Sequence, residues 1–238
     1  MPMTIHSQST TRVILGGVEA VVMAAGQGTR LRPLTERYAK PVLPIDGRPV
    51  IVTLLHELTF AERVVVVVGH LGRQVRALLD GFPAEVRFVE QPEALGSGDA
   101  VARADATPPY LVLAADTVFH PGDVRRFAGV EADGAIAVRK APAPDPVHRH
   151  GVGVKNGRVV RFHDESSEWS GAPLWLVGDW IHERVLERPG SPPWELGTAF
   201  QLAVDAGLDV RAVEIGPTRD LTRPLDLVER NFPYLKGL

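Results

Sequence analysis

The feature that most constrains the fold is a series of short apolar runs, separated by stretches in which apolar residues recur three and four positions apart. The apolar runs cover residues 20–23, 63–68, 86–89, 110–114 and 135–139. The helical spacing covers residues 50–61, 72–79, 98–106 and 122–128. Short apolar runs that alternate with amphipathic helices are typical of parallel strands covered on both faces. We therefore predict an α/β fold with a doubly wound, mixed and mostly parallel sheet.

The second half of the chain has a different pattern. Prolines lie at positions 142, 144 and 146, and Asn156-Gly157 separates two short runs at 151–155 and 158–163, which is typical of a β-hairpin. A further apolar run, two helical patterns and a strand pattern follow at 174–177, 179–187, 195–206 and 210–215. We predict a flexible N-terminal tail over residues 1–17 and a single domain over 18–238. Residues 141–238 are expected to form a lobe fused to the sheet of residues 18–140.

Composition excludes several classes of function. The 238 residues are 45% hydrophobic and 23% charged, which is ordinary for a globular protein. A net charge of −3 argues against a nucleic-acid partner, since no overall basic field is present. The absence of cysteine excludes disulfides and thiolate chemistry and fits a cytoplasmic protein. The apolar stretch 13–15 is too short for a signal peptide or a membrane span, so we expect no membrane partner. The sequence leaves a homo-oligomer open.

The loop after the first apolar run carries the strongest functional signal. Its residues Ala24, Ala25, Gly26 and Gly28 are small, so the backbone can come close to a bound group. Backbone amides that converge on one point bind an anion. The loop therefore predicts an anion site at the end of the first strand.

Fixed cations accompany this loop. Arg30 and Lys40 add positive charge where a triphosphate would place its negative charge. A P-loop requires Lys and then Ser or Thr after its last glycine, whereas Thr29-Arg30 follows Gly28 here. A dinucleotide fingerprint would need a third glycine. The pattern therefore predicts a nucleotide site that is neither a P-loop nor a dinucleotide fingerprint, and Thr29 is one of its residues.

Residues 26–35, with 40–44 behind them, resemble the signature G-x-G-T-R-L-x-P-L-T followed by P-K-x-L-x-P of sugar-1-phosphate nucleotidylyltransferases. That family includes glucose-1-phosphate thymidylyl- and uridylyltransferases and mannose-1-phosphate guanylyltransferases. Ala39 stands where the family has proline before its lysine. The resemblance implies a Rossmann-like nucleotide-diphospho-sugar transferase fold with a small acceptor-binding lobe. It also gives Arg30 and Lys40 the catalytic roles.

Two carboxylates are candidate metal ligands. Asp116 directly follows the apolar run, at the carboxyl end of a predicted strand, although an acidic residue there can also cap a following helix. Asp220 lies in residues 218–226, which resemble the late family segment W-x-D-I-G-T-P-x-D. The resemblance implies that Asp116 and Asp220 together hold Mg²⁺. Asp226 is interpreted as the carboxylate of a helix start.

Residues 90–100 resemble the family segment that reads the base of the nucleotide. The resemblance places Gln91 and Gly96 against that base. A glutamine amide carries a donor and an acceptor side by side, which matches the carbonyl and imide N–H of uracil or thymine. We therefore favour UTP or dTTP as the donor. The Gly-x-Gly-Asp-Ala-Val that follows also resembles adenylyl-transferring relatives, so the base is left open.

The acceptor motif is less complete. Residues 145–152 resemble the family's D-P-x-x-Y-G-V, which implies that Gly151 touches the sugar. His148, His150 and His163 offer no patterned set of zinc ligands.

The family's Glu-Lys-Pro has its counterpart at Glu165-Ser166-Ser167. The resemblance implies that Glu165 binds sugar hydroxyls, while Ser166 replaces the lysine that would bind the sugar phosphate. Arg219, Arg161 or a neighbour that the sequence does not reveal would have to supply this charge.

The leading hypothesis is a Mg²⁺-dependent nucleotidyltransferase. It would transfer a nucleotidyl group from a nucleoside triphosphate to a sugar 1-phosphate by in-line attack on the α-phosphate, releasing pyrophosphate. One alternative keeps the loop and changes the acceptor, as in a phosphocholine or other non-sugar phosphate cytidylyltransferase. Another is a catalytically silent, nucleotide-sensing regulatory subunit, although Arg30, Lys40 and Asp116 are all retained.

Overall fold

Strands and crossover helices alternate in the first half of the chain. The computed structural model describes residues 17–83, 85–140 and 151–232. Three 3₁₀ turns, Thr29–Leu31, Leu34–Glu36 and Lys40–Val42, form the connection after the first strand. The elements up to Lys140 are β1 (Glu19–Ala24), β2 (Pro44–Ile45), β3 (Arg48–Pro49), α1 (Val50–Glu57), β4 (Arg63–Val68), α2 (Gly72–Leu78), β5 (Val86–Glu90), α3 (Ser97–Arg103), β6 (Tyr110–Ala114), β7 (Thr117–Val118), α4 (Asp123–Ala128) and β8 (Gly134–Lys140).

The second half adds strands to the same sheet. Asn156 and Gly157 both have positive φ, 52° and 73°, so the predicted hairpin turn forms between two antiparallel strands. The elements are β9 (Val152–Lys155), β10 (Arg158–Phe162), β11 (Trp169–Val177), α5 (Asp179–Glu187), α6 (Leu196–Asp205), β12 (Val210–Glu214), β13 (Arg219–Asp220) and α7 (Pro224–Asn231).

Nine strands form one sheet in the order β5-β4-β1-β6-β11-β8-β12-β10-β9. β1 is parallel to both β4 and β6, and β4 is parallel to β5. β11 runs antiparallel between β6 and β8, and β12 is parallel to β8. The predicted doubly wound, mixed and mostly parallel sheet is confirmed. Because the chain continues from β1 to β4 on one side and reaches β6 on the other, the switch point lies between the carboxyl ends of β1 and β6.

Apolar cores cover both faces of the sheet. Val64, Val66 and Val68 of β4 belong to the core formed with α1, α2 and α4, whereas Val65 and Val67 belong to the core formed with α3, α5 and α6. Each of the five valines is at most 3% exposed. A central strand buried on both faces explains why this segment is uniformly apolar rather than alternating.

Two elements differ most in length from the sequence prediction. The helix predicted over 50–61 ends at Glu57, because the chain then turns so that the Glu62 amide can donate to the Val18 carbonyl at the start of β4. β11 begins at Trp169, well before the apolar run at 174–177. Its register against β8 shifts between Gly171 and Trp175, and its first three residues, 169–171, are only half-buried, so no apolar run marks the start of the strand.

Some sequence predictions lie outside the described residues. They are the predicted tail as far as residue 16, and the segment 141–150 with His148 and His150. No helix in the described ranges has the length and apolarity needed to cross a membrane.

Candidate functional site

Two cavities open at the switch point between β1 and β6. The smaller has a volume of about 320 Å³ and is lined by the end of β1 and the loop before α3. The larger has a volume of about 580 Å³ and extends towards β8 and β11. Ligands of open α/β sheets bind at such switch points. The cavities form two parts of one site, because they share the wall residues Met23, Lys40, Ser97, Ala114, Asp116 and Glu195.

The loop after β1 is shaped by close backbone packing. Ala24, Ala25 and Gly26, which the sequence predicts to bind the nucleotide, line the smaller cavity. Gly28 has φ 62°, and a Cβ added to it would lie 2.8 Å from Cγ2 of Thr35 and 3.3 Å from Cβ of Lys40. Glycine is therefore required where the loop folds back on Thr35, whose hydroxyl donates to the Gly28 carbonyl over 2.9 Å.

The 3₁₀ turn after Gly28 carries two of the predicted residues. Thr29 begins the turn and is exposed, and it lies outside the lining of both cavities as the described residues form them. Arg30 is the next residue and lines the larger cavity. The turn thus directs a fixed cation towards the space beside the loop.

Lys40 and Asp116 form an ion pair in the wall shared by the two cavities. Nζ of Lys40 donates to Oδ2 of Asp116. Lys40 begins the turn Lys40–Val42, and Asp116 follows β6, so residues 76 positions apart meet at the switch point. The side chains are only 15% and 27% exposed. A largely desolvated cation therefore stands beside a carboxylate at the centre of the site.

Asp220 reaches the same place on a short strand. β13 pairs antiparallel with β7, and this register places Asp220 opposite Thr117, the residue after Asp116. Burial raises the pKa of Asp220, and the nearby charge of Asp116 raises it further. Oδ1 of Asp220 is buried without a hydrogen-bond partner in the described part of the chain. Two carboxylates so arranged are stabilised by a shared cation.

Metal ligation at this point would depend on few protein groups. Within residues 17–83, 85–140 and 151–232, no three or more His, Cys, Asp or Glu side chains cluster as a metal site. Mg²⁺ keeps several waters and is commonly held by one or two carboxylates together with substrate phosphates. The pair Asp116 and Asp220, with its unpartnered oxygen, fits that kind of ion.

Arg139 is a site residue that sequence reasoning missed. It lies near the end of β8, lines the larger cavity and donates from Nη1 to the hydroxyl of Thr218. Its Nη2 is 3.7 Å from Oδ2 of Asp220. The available signal was a charge at the carboxyl end of a buried strand, the same kind of signal that identified Asp116.

The smaller cavity contains the glutamine predicted to read a base. Gln91 is 6% exposed, and its Nε2 donates to the carbonyl of Gly96 over 3.0 Å and to Oδ2 of Asp99 over 2.9 Å. Both Gln91 and Gly96 line this cavity. Asp99 was not singled out from the sequence, because its pattern there indicated only a helix start.

Gly96 is held by the backbone of a distant segment. It has φ 101°, and an added Cβ would lie 2.2 Å from the carbonyl oxygen of Trp194. The Trp194 amide donates to the Leu95 carbonyl over 2.7 Å, and the Trp194 carbonyl accepts from the Gly98 amide over 2.7 Å. The loop before α3 is thus tied directly to the segment before α6.

Replacing Gly96 by alanine is expected to lower the free energy of unfolding by about 2–4 kcal/mol, since the backbone conformation is strained for alanine and the methyl group overlaps backbone atoms. Thermal and urea melts measure this. Gly122 is the matched control, because it has φ 84° but nothing within 4 Å of an added Cβ. Gly122→Ala should cost only about 1–2 kcal/mol. Equal losses for the two variants would contradict the contact with Trp194.

The larger cavity ends in a wall formed by the second half of the chain. Gly151, which the resemblance places against the sugar, lines this cavity with Phe162, His163, Trp175 and residues 170–173. Glu165 does not line either cavity as the described residues form them; it lies exposed in the connection between β10 and β11. Glu195 lines both cavities instead, and its Oε2 accepts from the Ser97 hydroxyl over 2.5 Å. A second missed residue thus places a carboxylate in the shared wall.

The fold and the site define an α/β nucleotide-binding protein with paired cations and carboxylates at one switch point. Residues 20–174 match the family model described as the MobA-like NTP transferase domain. The chain belongs to this family. Membership confirms the resemblance to nucleotidyltransferases that the sequence motifs indicated.

Curated relatives carry related names. A "Bifunctional protein GlmU" of Methanococcus vannielii is 32% identical over 240 residues, with 93% of this chain and 56% of the relative covered. The "UTP--glucose-1-phosphate uridylyltransferase AglF" of Haloferax volcanii is 29% identical over 230 residues, with 88% and 93% covered. The chain spans about half of the first relative and 31% of a GlmU protein of Thermus thermophilus.

A solved structure shares the fold. The inositol-1-phosphate CTP transferase from T. maritima superposes with a TM-score of 0.78 at 22% identity, with 93% of this chain and 94% of that chain covered. This likeness supports the description of the sheet and its helices as a nucleotidyltransferase fold.

Proposed function

We propose that this chain transfers a nucleotidyl group from a nucleoside triphosphate to the phosphate of a sugar 1-phosphate and releases pyrophosphate. The observation that carries the proposal is the shared wall of the two cavities. A loop suited to phosphates, the pair Lys40–Asp116 and the carboxylate of Asp220 all meet there. The name of the Haloferax relative, which matches most of both chains, supports this reaction class.

The chemistry requires charge stabilisation more than a protein nucleophile. An oxygen of the acceptor phosphate attacks the α-phosphorus, the bond to the bridging oxygen of the β-phosphate breaks, and pyrophosphate leaves with that electron pair. The attacking oxygen is already anionic, so we assign no general base. Arg30 would hold the leaving pyrophosphate. Lys40 would stabilise the charge that develops at the α-phosphate.

Mg²⁺ is the proposed metal, and Asp116 and Asp220 would hold it. A bound Mg²⁺ supplies positive charge to the triphosphate and the leaving group. Lys40 and Arg139 contact these carboxylates in the present structure. Both cations line the larger cavity beside the proposed metal ligands, where they would face the phosphates of the two substrates.

Arg139 is proposed to bind the acceptor phosphate in place of the lysine that Ser166 replaces. In the sheet register Arg139 stands opposite Ser170 of β11, and it lines the larger cavity next to Asp220. Arg219, considered from the sequence, is instead paired with Asp46. Neither Arg219 nor Arg161 lines either cavity as formed by the described residues.

Replacing Arg139 by glutamine is expected to raise the KM for the acceptor by about tenfold or more, since a charge-assisted contact with phosphate is lost, and to leave the KM for the triphosphate nearly unchanged. Steady-state kinetics with each substrate varied in turn measure this. Arg219→Gln is the control and should leave both values near wild type. If the acceptor KM rises in Arg219→Gln and not in Arg139→Gln, Arg219 binds the acceptor phosphate instead of Arg139.

A second acceptor class is favoured by one observation. Glu165, the expected partner of sugar hydroxyls, lies outside the cavity lining that the described residues form. Other phosphorylated alcohols, such as inositol 1-phosphate or phosphocholine, therefore belong in the same assay. The T. maritima protein that shares the fold is named for an acceptor of this kind, inositol 1-phosphate.

Pyrophosphate release tests the proposal directly. UTP, dTTP, CTP, ATP and GTP are each combined with glucose 1-phosphate, mannose 1-phosphate, N-acetylglucosamine 1-phosphate, inositol 1-phosphate and phosphocholine, with Mg²⁺ and with EDTA. We expect turnover with UTP or dTTP and a sugar 1-phosphate. The proposed location is the cytoplasm, where these substrates occur. Tight binding of a triphosphate without turnover of any pair would instead favour the silent nucleotide-sensing subunit.

A further inference from the structure

Asp99 is a buried carboxylate directly behind the base-reading glutamine. It lies in the first turn of α3 and is 0% exposed. Nε of Arg103 donates to its Oδ2 over 2.7 Å, and Nε of Arg188 at the end of α5 lies 3.0 Å from its Oδ1. A buried carboxylate is costly unless paired, and two cations from different helices compensate this one.

The same carboxylate fixes the orientation of Gln91. The two hydrogens of Nε2 are directed to the Gly96 carbonyl and to Oδ2 of Asp99. Both partners can only accept, so rotation of the amide by 180° would place Oε1 against two other oxygens. Among the described residues, no donor hydrogen-bonds to Oε1 of Gln91. This oxygen is also not one of the buried polar atoms that lack a partner in that part of the chain. The glutamine therefore offers the cavity an acceptor and no donor.

The two arginines keep Asp99 in its ionised form, which can only accept hydrogen bonds. Burial alone would raise the pKa of Asp99, but the hydrogen bonds from Arg103 and Gln91, together with the charges of Arg103 and Arg188, leave the pKa lowered. The carboxylate is thus ionised at neutral pH and cannot donate a proton to Oε1. Arg188 also lies over the ring of Trp194, 5.9 Å from its centroid, which connects the carboxylate to the segment that holds Gly96.

We infer that Asp99 is a positioning residue that sets the hydrogen-bond polarity of the base pocket, so that the pocket selects a pyrimidine with a ring N–H over one with a ring acceptor. Uracil and thymine present N3–H to Oε1 of Gln91. Cytosine presents the lone pair of N3 to the same oxygen, which is repulsive. The inference rests on the proposed function and assigns its base specificity to a residue outside the cavity lining.

Binding of UTP and CTP tests the inference without any acceptor. Calorimetric titration of the whole chain with each triphosphate in the presence of Mg²⁺ gives two dissociation constants, and their ratio is the readout. Wild type is expected to favour UTP by about tenfold or more, because cytosine leaves a buried acceptor unpaired. In Asp99→Asn the side chain can donate as well as accept, so one of the two contacts that exclude the rotated Gln91 amide is lost and the preference for UTP should fall by about threefold or more. The ratio is measured on one protein sample and does not depend on the fraction that is folded.

A matched control separates selectivity from loss of a buried ion pair. Asp123 is also buried, pairs with Arg126 three residues later over 2.8 Å, and lines neither cavity. Asp123→Asn should lower the melting temperature while leaving the ratio of the two dissociation constants at the wild-type value. If Asp123→Asn changes the ratio as much as Asp99→Asn does, the inference is overturned.

A double-mutant cycle tests whether Asp99 acts through Gln91. Gln91→Met removes the polar amide and should bring the ratio close to one, and adding Asp99→Asn should then change nothing further. N3-methyl-UTP, which lacks the ring N–H, should bind wild type about tenfold more weakly than UTP or worse. That measurement needs no variant, so it tests the inference even if Asp99→Asn does not fold.

The outcomes distinguish the inference from the proposed function. If none of the triphosphates binds wild type, the proposed function fails first. If triphosphates bind but UTP and CTP bind equally, or Asp99→Asn keeps the wild-type ratio, only the role of Asp99 is overturned. A preference for UTP that falls in Asp99→Asn and survives in Asp123→Asn supports the inference.

Discussion

Replacing Lys40 by methionine is expected to lower kcat for nucleotidyl transfer by about 100- to 1,000-fold, as for other preorganised electrostatic groups. Lys40 is largely desolvated in the wall between the two cavities, so its charge acts through a low effective dielectric on the phosphate that reacts there. Methionine keeps much of the side-chain length and removes only the charge. Pyrophosphate release at saturating substrates measures the effect.

The control for Lys40 is another lysine on the same chain. Lys155 lies exposed at the end of β9, outside the lining of both cavities, and Lys155→Met should retain wild-type turnover. A thermal melt of Lys40→Met is needed, because Asp116 loses its partner. A folded Lys40→Met enzyme with kcat within about threefold of wild type would remove Lys40 from the proposed chemistry.

Replacing Asp220 by asparagine is expected to be the second large effect. Two carboxylates supply the proposed protein ligands of Mg²⁺, so neutralising one should raise the Mg²⁺ concentration for half-maximal activity by about tenfold or more and lower kcat by about 100-fold. The reason is the position of Asp220, opposite Thr117 and beside Asp116, with one buried oxygen that accepts nothing from the described chain. Activity measured across a Mg²⁺ titration shows both changes.

Asp226 provides a contrast six residues away. Its Oδ2 accepts from the amides of Thr222 and Arg223 over 2.8 and 2.7 Å, so it caps α7, in agreement with its interpretation as the carboxylate of a helix start. Asp226→Asn should lower stability by about 1 kcal/mol and leave the Mg²⁺ dependence unchanged at temperatures where the protein is folded. If Asp226→Asn shifts the Mg²⁺ requirement and Asp220→Asn does not, the metal pair has been assigned to the wrong carboxylate.

Most of the sheet could be predicted because its strands are locally encoded. The run Val64 to Val68 is uniformly apolar since both of its faces are buried, and its boundaries as β4 match the pattern. β11 was only partly predicted, because its half-buried first residues, 169–171, form no apolar run and pair with β8 out of register with residues 175–177. Local propensity does not encode such an irregularity, which depends on the neighbouring strand.

The donor half of the candidate site could be predicted for a related reason. Asp116 follows a strand whose carboxyl end meets that of β1, and Lys40 belongs to the motif in the connection after β1, so the fold brings the two together. Arg139 needed more than this rule, because its place in the site depends on β13 bringing Asp220 alongside it. Its partners are determined by tertiary contacts between strands and loops far apart in sequence.

Asp99 and Glu195 show the same limit for side chains outside motifs. Asp99 looked like the start of a helix, and only the approach of Arg188 from α5 shows that it is a paired, fully buried charge. Glu195 occupies the cavity wall where the motif had directed attention to Glu165. A resemblance assigns roles to residues by their position in a motif. The lining of a cavity depends instead on which side chains the folded backbone places there.

The pairing of β13 with β7 has a consequence for how this site can change. Asp220 is held opposite Thr117 by a two-stranded ribbon that leaves the main sheet, while the wall of the larger cavity is made by β8, β11 and the start of β9. The pairing that places Asp220 beside Asp116 is therefore separate from the pairing of the strands around the proposed acceptor pocket, with Arg139 of β8 as a contact between them. Sequence drift or directed evolution can remodel that wall for a new phosphorylated compound while the ribbon keeps the reaction centre intact.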